Sequence, residues 1–463
     1  MQAPQLRRRD GTPVDAAVIE AFREGFAGQV ILPQDGGYDA ARQIWNASID
    51  RHPGLIARCA GTADVVHAVR FARANNLLVA VRSGGHNVAG RALCDDGVVI
   101  DLSAMTGVFI DPQHRTVRVR GGTTLGELDR ETQLHGLAVP TGVIPRTGIA
   151  GLALGGGVGW LVRKHGLTCD NLLSCEVVTA EGDVITADAD THPDLFWGLR
   201  GGGGNFGIVT SFLFRAHPVS AVLGGLVIYP REVAGALLRH YRGVMATAPD
   251  ELTAYAGLIS TPEGMPATAV ALCYSGDDVE EGERVVRPLR SFGTPLLDAV
   301  QPMPFAAMQS MLDAAFLDRS YNYWKSTFLT ALTDEAIDLI VEHGNRAASP
   351  LSGAVVEFYG GAYSRVGATD TAYGQRQSVF NLGINAQWTD PADGDRHIAW
   401  ARTMWDALQP HSSGGYFLNF LDDEPASVVR AAFGPNYARL AEVKKKYDPD
   451  NFFSLNQNVP PAR

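Results

Sequence analysis

The sequence predicts an α+β protein in two domains, on three observations. Segments of helical period and of strand period alternate, with no long block of either. Glycine is abundant, at 51 of 463 residues against a usual ~7%. Its clusters at Gly84-Gly85, Gly121-Gly122, Gly155–Gly159 and Gly201–Gly204 all fall in the first half. After about His217 those clusters thin out and longer helical segments begin, which predicts a second α+β domain over 218–420.

The elements follow in order. Val18, Ile19, Phe22 and Phe26 share one face of a helix over 14–27, and Val65, Val66, Val69 and Ala72 do the same over 62–76. Leu77–Val81 is a short apolar run that stops at Arg82-Ser83-Gly84-Gly85-His86. Val98–Leu102 and Thr116–Arg120 read as strands. Thr123–His135 reads as a helix capped by Thr123 or Thr124. Glu181-Gly182-Asp183 between Cys175–Thr179 and Val184–Ala187 signals a hairpin. Pro193–Leu199 is helical and Ile208–Phe214 a strand. In the second half, helices are expected over Glu232–Thr247, Val279–Phe292 and Thr333–Ala347. Strands are expected over Ala267–Tyr274, Ala354–Tyr359 and Asn381–Trp388. A helix opens the tail Val428–Asn458, and Lys444-Lys445-Lys446 reads as its solvated end.

Composition excludes several classes. With 46% hydrophobic and 19% charged residues the chain is expected to be globular. A net charge of −11 argues against nucleic acid or anionic membrane as a partner. The longest apolar stretch, Val219–Tyr229, is too short and too interrupted to span a bilayer, which needs roughly 20 residues. The N-terminal MQAPQLRRRDGTP lacks an apolar core, and the five cysteines form no C-x-x-C pair. Both point to reduced thiols in a cytoplasm and to no zinc site. Asn46-Ala47-Ser48 fits a glycosylation sequon but is set aside on the same ground.

No phosphate-loop Gly-Lys-Ser/Thr, G-x-S-x-G elbow or H-E-x-x-H helix is present. Gly202–Gly207 fits G-x-G-x-x-G, but it follows a helix and opens a strand, the reverse of a dinucleotide-binding βα turn. The informative stretch is Val81-Arg-Ser-Gly-Gly-His-Asn87. There a strand ends, two glycines turn the chain, and successive N–H groups form an anion-binding concavity fit for a pyrophosphate. His86 at its edge is a candidate base, ligand or nucleophile. The later glycine clusters suit a long dinucleotide cofactor that needs several backbone-contact loops.

Ordered blocks carry a family resemblance over most of the chain. They include Ile44-Trp45-Asn46, Leu55–Cys59, Arg82–Asn87, Gly151–Gly159, His165–Asn171, Leu195–Trp197, Arg200-Gly201, Asn205–Val209, Tyr447–Asn451 and Asn456–Asn458. The sequence resembles the berberine-bridge-enzyme-like flavoproteins of the vanillyl-alcohol oxidase superfamily. That resemblance implies a two-lobed FAD-binding domain, residues 1–217, completed by a C-terminal segment, 421–463. It also implies a substrate domain, 218–420, with a large antiparallel sheet flanked by helices.

The same resemblance implies residue roles. His86 matches the histidine that bonds covalently to FAD. Arg82, Ser83, Gly84, Gly85, Asn87 and Gly90 match the pyrophosphate loop. Thr141, Gly142, Gly148, Gly151, Gly155, Gly156 and Gly159 match the second flavin loop. Asn171, Asn205, Gly207, Val209, Asn456 and Asn458 match further cofactor contacts. Many relatives tether FAD a second time through a cysteine, where Ile144 stands here. Thr147 falls at the position that gates oxygen, and its valine-like shape favours O₂ access. Tyr416 resembles the tyrosine base of alcohol- and sugar-oxidising relatives. Alternation puts Glu357 and Tyr359 on one strand face as the other candidates. A lysine of one amine-oxidising relative is replaced by Val356, and Arg376 reads as structural. The expected activity is oxidation of a small organic alcohol, phenol, sugar or amine, with O₂ reduced to H₂O₂, by a monomer or homodimer. The alternatives are a dehydrogenase with another acceptor or a catalytically silent flavin-binding protein.

Overall fold

The computed structural model describes residues 5–463, so the first four residues of the segment read above for a leader lie outside it. Three sheets organise the chain. The first has Leu55–Arg58, Val98–Asp101 and Val79–Arg82 in parallel, with Gln29–Ile31 added antiparallel at one edge. Its central strand Val98–Asp101 is buried along its whole length, as parallel strands covered on both faces are. The Thr62–Ala74 helix packs Val65, Ala68, Val69 and Ala72 against it.

The second sheet is antiparallel, in the order Val108–Asp111, Thr116–Arg120, Ile208–Arg215, Leu172–Val178, Val184–Asp188. Helix Leu125–Gln133 lies on it, opened by a capping box between Thr124 and Glu127. The tail returns here: Leu440 and Val443 of the Tyr437–Tyr447 helix join the same core as Phe212 and Phe214.

The third sheet has eight strands and is antiparallel. Its path runs Leu297–Asp298, Ala221–Pro230, Pro266–Tyr274, Leu252–Ser260, Gly353–Phe358, Phe380–Trp388, Tyr321–Leu329, with Gln301–Pro304 also on Ala221–Pro230. Helices Ala234–Met245, Val279–Arg290, Asp334–Gly344 and Gly394–Leu408 cover one face and bury Ala254, Val270, Val356, Leu382 and Ile384 beneath them. The other face looks toward the glycine loops of the first two sheets.

Ala221–Pro230 and Leu252–Ser260 escape a search for alternation, because both of their faces are covered and apolar residues run on without a polar partner face, and Tyr321–Leu329 escapes it because its buried polar residues Asn322, Lys325, Ser326 and Thr327 fall on both faces. Among the described residues no helix is long and apolar enough to cross a membrane. All five cysteines are free and buried. Asn46 is buried and donates to the carbonyls of Val88 and Asn322, so the sequon is not presented to solvent.

The lysine run requires a correction. Lys445 and Lys446 face solvent, but Lys444 is fully buried. Its Nζ pairs with Asp448 at 2.6 Å and donates to the carbonyls of Asn205 and Phe453. The helical period turns one lysine of three inward, where it locks the tail onto a glycine loop.

Candidate active site

One cavity of about 850 Å³ joins the glycine loops to the bare face of the large sheet. Ser83, Gly84, Gly85, His86 and Asn87 line one wall, with Gly142, Thr147, Gly148, Gly151 and Gly155. Gly207, Val209 and Asn456 close that end. The opposite wall is sheet: Tyr255, Val355, Glu357, Gly383 and Asn385, with Trp324 and Phe417 beside them.

The loops meet because they lack side chains. A Cβ on Gly84 would lie 2.4 Å from the Gly148 nitrogen, and the reverse holds equally. Gly85, at φ +66°, turns the chain so that His86 enters the cavity. The His86 imidazole stacks on the Trp45 indole, with centroids 4.3 Å apart and planes at 15°. Its Nε2 is out of solvent contact and without a partner among the described residues. Burial pushes its pKa down to about 4, so the ring is neutral and nucleophilic near pH 7. Asn456 donates Nδ2 to the Gly204 and Phe453 carbonyls and leaves a buried Oδ1 unpartnered. Gly151 and Gly204 border open space, where a Cβ would meet nothing within 4 Å. Unpartnered polar atoms at the rim of a roomy glycine-lined trough fit a dinucleotide such as FAD.

Glu357 lies on the central strand Gly353–Phe358. Its Oε2 accepts from the Tyr359 hydroxyl and from Asn381 Nδ2 at 2.8 Å. Its Oε1 has no partner among the described residues and is the oxygen left for a ligand. Burial raises the Glu357 pKa above the usual carboxylate range, against the pull of Tyr359 and Asn381. Tyr359 itself is fully buried and acts through Glu357.

Several expected site residues take other posts. Tyr416 does not reach the cavity. Its hydroxyl donates to Gln409 Oε1 at 3.3 Å and its ring packs near Trp405, while Phe417, one residue on, fills the cavity wall. Val356 points into the core beneath the helices, since strand alternation gives the cavity to Val355 and Glu357. Asn171 braces its own loop through the His165 and Leu167 carbonyls and bonds His217 Nε2 at 2.7 Å. Asn205 ties the Gly202 and Gln457 carbonyls together and accepts from Val459 N–H, so it holds the tail. Thr141 accepts from Gln309 Nε2. Arg82 turns away to the Ala41 carbonyl. Gly90, Gly156 and Gly159 give room to Ile49, Tyr373 and the Thr141 carbonyl in turn, and Asn458 keeps a buried, unpartnered Oδ1 off the cavity wall. Arg376 is a buried brace on Asp170, bonding it at 2.6 and 2.8 Å.

Tyr255, Trp324, Asn385 and Asn419 are cavity residues that the sequence reading missed. The signal for Asn385 lay in Asn381–Trp388, whose alternation sets Asn381, Gly383, Asn385 and Gln387 against Leu382, Ile384, Ala386 and Trp388. Among the described residues no group of three or more His, Cys, Asp or Glu is placed to hold a metal.

Comparison with known proteins agrees with this architecture. Residues 53–188 match the FAD binding domain family, and residues 416–460 match the berberine and berberine-like family. (R)-6-hydroxynicotine oxidase of Paenarthrobacter nicotinovorans is 34% identical over 451 residues, 94% of this chain and 97% of that one. The uncharacterized FAD-linked oxidoreductase YgaK of Bacillus subtilis is 31% identical, with 94% of this chain and 97% of that one covered. The crystal structure of 6-hydroxy-D-nicotine oxidase from Arthrobacter nicotinovorans superposes with a TM-score of 0.87 at 32% identity, over 94% of this chain and 98% of that one. The chain belongs to the berberine-bridge-like family of FAD-linked oxidoreductases, with the α+β fold of the vanillyl-alcohol oxidase type. It is an FAD-dependent oxidoreductase.

Proposed function

We propose that the protein is an oxidase that carries FAD on His86 and oxidises a small organic alcohol, phenol, sugar or amine, with O₂ as acceptor and H₂O₂ as product. The observation that carries this is the single cavity shared by the His86 loops and the Glu357 strand. Residues 1–217 and 421–463 form the cofactor part and 218–420 the substrate part, in a cytoplasmic protein. Bound flavin supplies the two-electron acceptor.

The chain does the rest. His86, kept neutral by burial and clamped by Trp45, is the attachment point. Ile144 stands in the cavity without a thiol, so the attachment is single. Glu357 Oε1 takes the proton from the substrate O–H or N–H, while Tyr359 and Asn381 hold its other oxygen still. Thr147 shapes the wall beside Gly148, where O₂ would approach. A dehydrogenase with another acceptor differs only at this last point.

Acid precipitation of the purified protein tests the tether. Yellow colour and in-gel fluorescence should stay with the pellet and be lost in His86→Ala; flavin freed by acid from the unsubstituted protein overturns it. Anaerobic flavin reduction should be slowed in Glu357→Gln by the 10²–10⁴-fold typical of a lost general base. Unchanged reduction removes Glu357 from the role.

A further inference from the structure

We infer that the substrate is a flat, fused-ring molecule bearing a polar group at each end, lying along the bare face of the large sheet. The inference rests on the oxidoreductase reading above and adds the substrate's shape.

The register defines rows across the sheet. Tyr255 stands opposite Glu357, and Glu357 opposite Asn381. Two residues along, Gly257 pairs with Val355, and Val355 with Gly383. Two further along, Gly353 pairs with Asn385, and Asn385 with Trp324. At ~3.4 Å per residue the outer rows are ~14 Å apart. From Gly257 to Gly383 the middle row carries nothing larger than valine and no polar side chain; beyond Gly383 the buried Ser326 spends its hydroxyl on Asn381 Oδ1, off the cavity wall, and beyond Gly257 the row continues through Ala269 to the apolar Ile228.

Unpartnered polar atoms mark both ends. At one end are Glu357 Oε1 and the buried Tyr255 hydroxyl, which has no partner. At the other end is the Asn385 side chain, which makes no hydrogen bond among the described residues and opens on the cavity. Beside it Trp324 Nε1 is buried without an acceptor. The Tyr255 hydroxyl and Trp324 Nε1 are buried, and such groups are costly to bury unless a ligand bonds them.

Gly383 supplies the independent sign. Glycine in a strand interior weakens it and often marks close approach of a ligand. Packing explains Gly257, whose Cβ would lie 2.3 Å from the Ala354 carbonyl oxygen. It does not explain Gly383. Its φ is not positive, and its Cβ would meet nothing nearer than 3.6 Å. The space above Gly383 is kept open on the cavity side, in the middle of an apolar floor. A planar ring system fills such a floor; a sugar, with hydroxyls all round, would leave its central groups without partners there.

The test is a series of hydroxymethyl arenes with a distal hydroxyl: one ring, two fused rings and three fused rings, with xylobiose as a polyol probe. Binding to the holoenzyme is read by equilibrium dialysis and by anaerobic flavin reduction. The three-ring compound should bind at least tenfold tighter than the one-ring compound. Gly383→Val, a favourable strand substitution, should abolish that preference while retaining FAD. Asn385→Leu should weaken only the longer compounds. Equal affinity across the series, tighter binding of xylobiose, or a Gly383→Val protein that keeps the preference overturns the inference. If xylobiose reduces the flavin and no arene binds, the substrate shape fails and the oxidoreductase reading stands. If a wider panel of alcohols, amines and sugars also gives no reduction, that reading fails too.

Discussion

Asp129 shows how one residue sets a pH dependence. It is buried on the Leu125–Gln133 helix, and its Oδ2 accepts from Gln309 Nε2 at 3.0 Å while Oδ1 has no partner. Burial, with no cation to answer it, pushes its pKa from the ordinary 3.8 to about 7. A folded-state pKa above the unfolded one means that the folded state binds the proton more tightly. The contribution is fully present below pH ~4 and is lost as pH rises to about 7. At ~1.4 kcal/mol per pH unit the loss amounts to a few kcal/mol. The melting temperature should therefore fall from pH 5 to pH 8, and Asp129→Asn should flatten that profile. Parallel profiles for the two proteins would show that Asp129 ionises freely. At this scale the sequence was legible where local geometry decides, as in the Gly84-Gly85-His86 turn. It was not legible where one step of register decides. Tyr416 and Phe417 are adjacent, and only the fold chooses which of them faces the cavity.

Elements were read best where one face is wet. The Thr62–Ala74 helix and the Leu172–Val178/Val184–Asp188 hairpin follow their patterns closely, while strands covered on both faces left no alternation to find. The tail helix Tyr437–Tyr447 combines the two cases, since its charged stripe hides a buried cation. Lys444 satisfies three acceptors, Asp448 Oδ2 and the Asn205 and Phe453 carbonyls, and Asn205 in turn holds Gln457 and Val459. Breaking a buried pair on one side leaves an uncompensated charge, at a cost of about 3–5 kcal/mol. Lys444→Ala should lower stability by that amount in urea titration and loosen the 455–459 segment to proteolysis. Lys445→Ala, one residue on at the surface, should change stability by less than about 0.5 kcal/mol. Equal losses in the two variants would contradict the inward placement of Lys444.

The two parts of the molecule must keep a fixed separation if His86 and Glu357 are to serve one reaction, and Arg163 is placed to help fix it. It sits in the short helix Val162–His165 beside the glycine loops, and it is buried. No carboxylate among the described residues bonds it. Its Nε donates to the Leu252 carbonyl at 2.7 Å, Nη2 to those of Ala248 and Pro249, and Nη1 to that of Tyr359 at 3.2 Å. All four acceptors belong to the large-sheet part, and the last belongs to the residue whose hydroxyl holds Glu357. A planar guanidinium directs its donors in fixed directions, which a lysine ammonium cannot imitate. Arg163→Lys should therefore fail to restore what Arg163→Met loses. Both variants should retain FAD, because His86 and its loops are untouched. Both should melt lower, and both should lose turnover on the order of 10- to 10²-fold, as small misplacements of a reacting group do. The acid limb of their pH–rate profile should shift as well, since the Tyr359 bond to Glu357 opposes the raised carboxylate pKa. A lower melting temperature with an unchanged pH profile would make Arg163 a strut between the parts and nothing more. A shifted acid limb would show that the joint between the parts also tunes the proton acceptor.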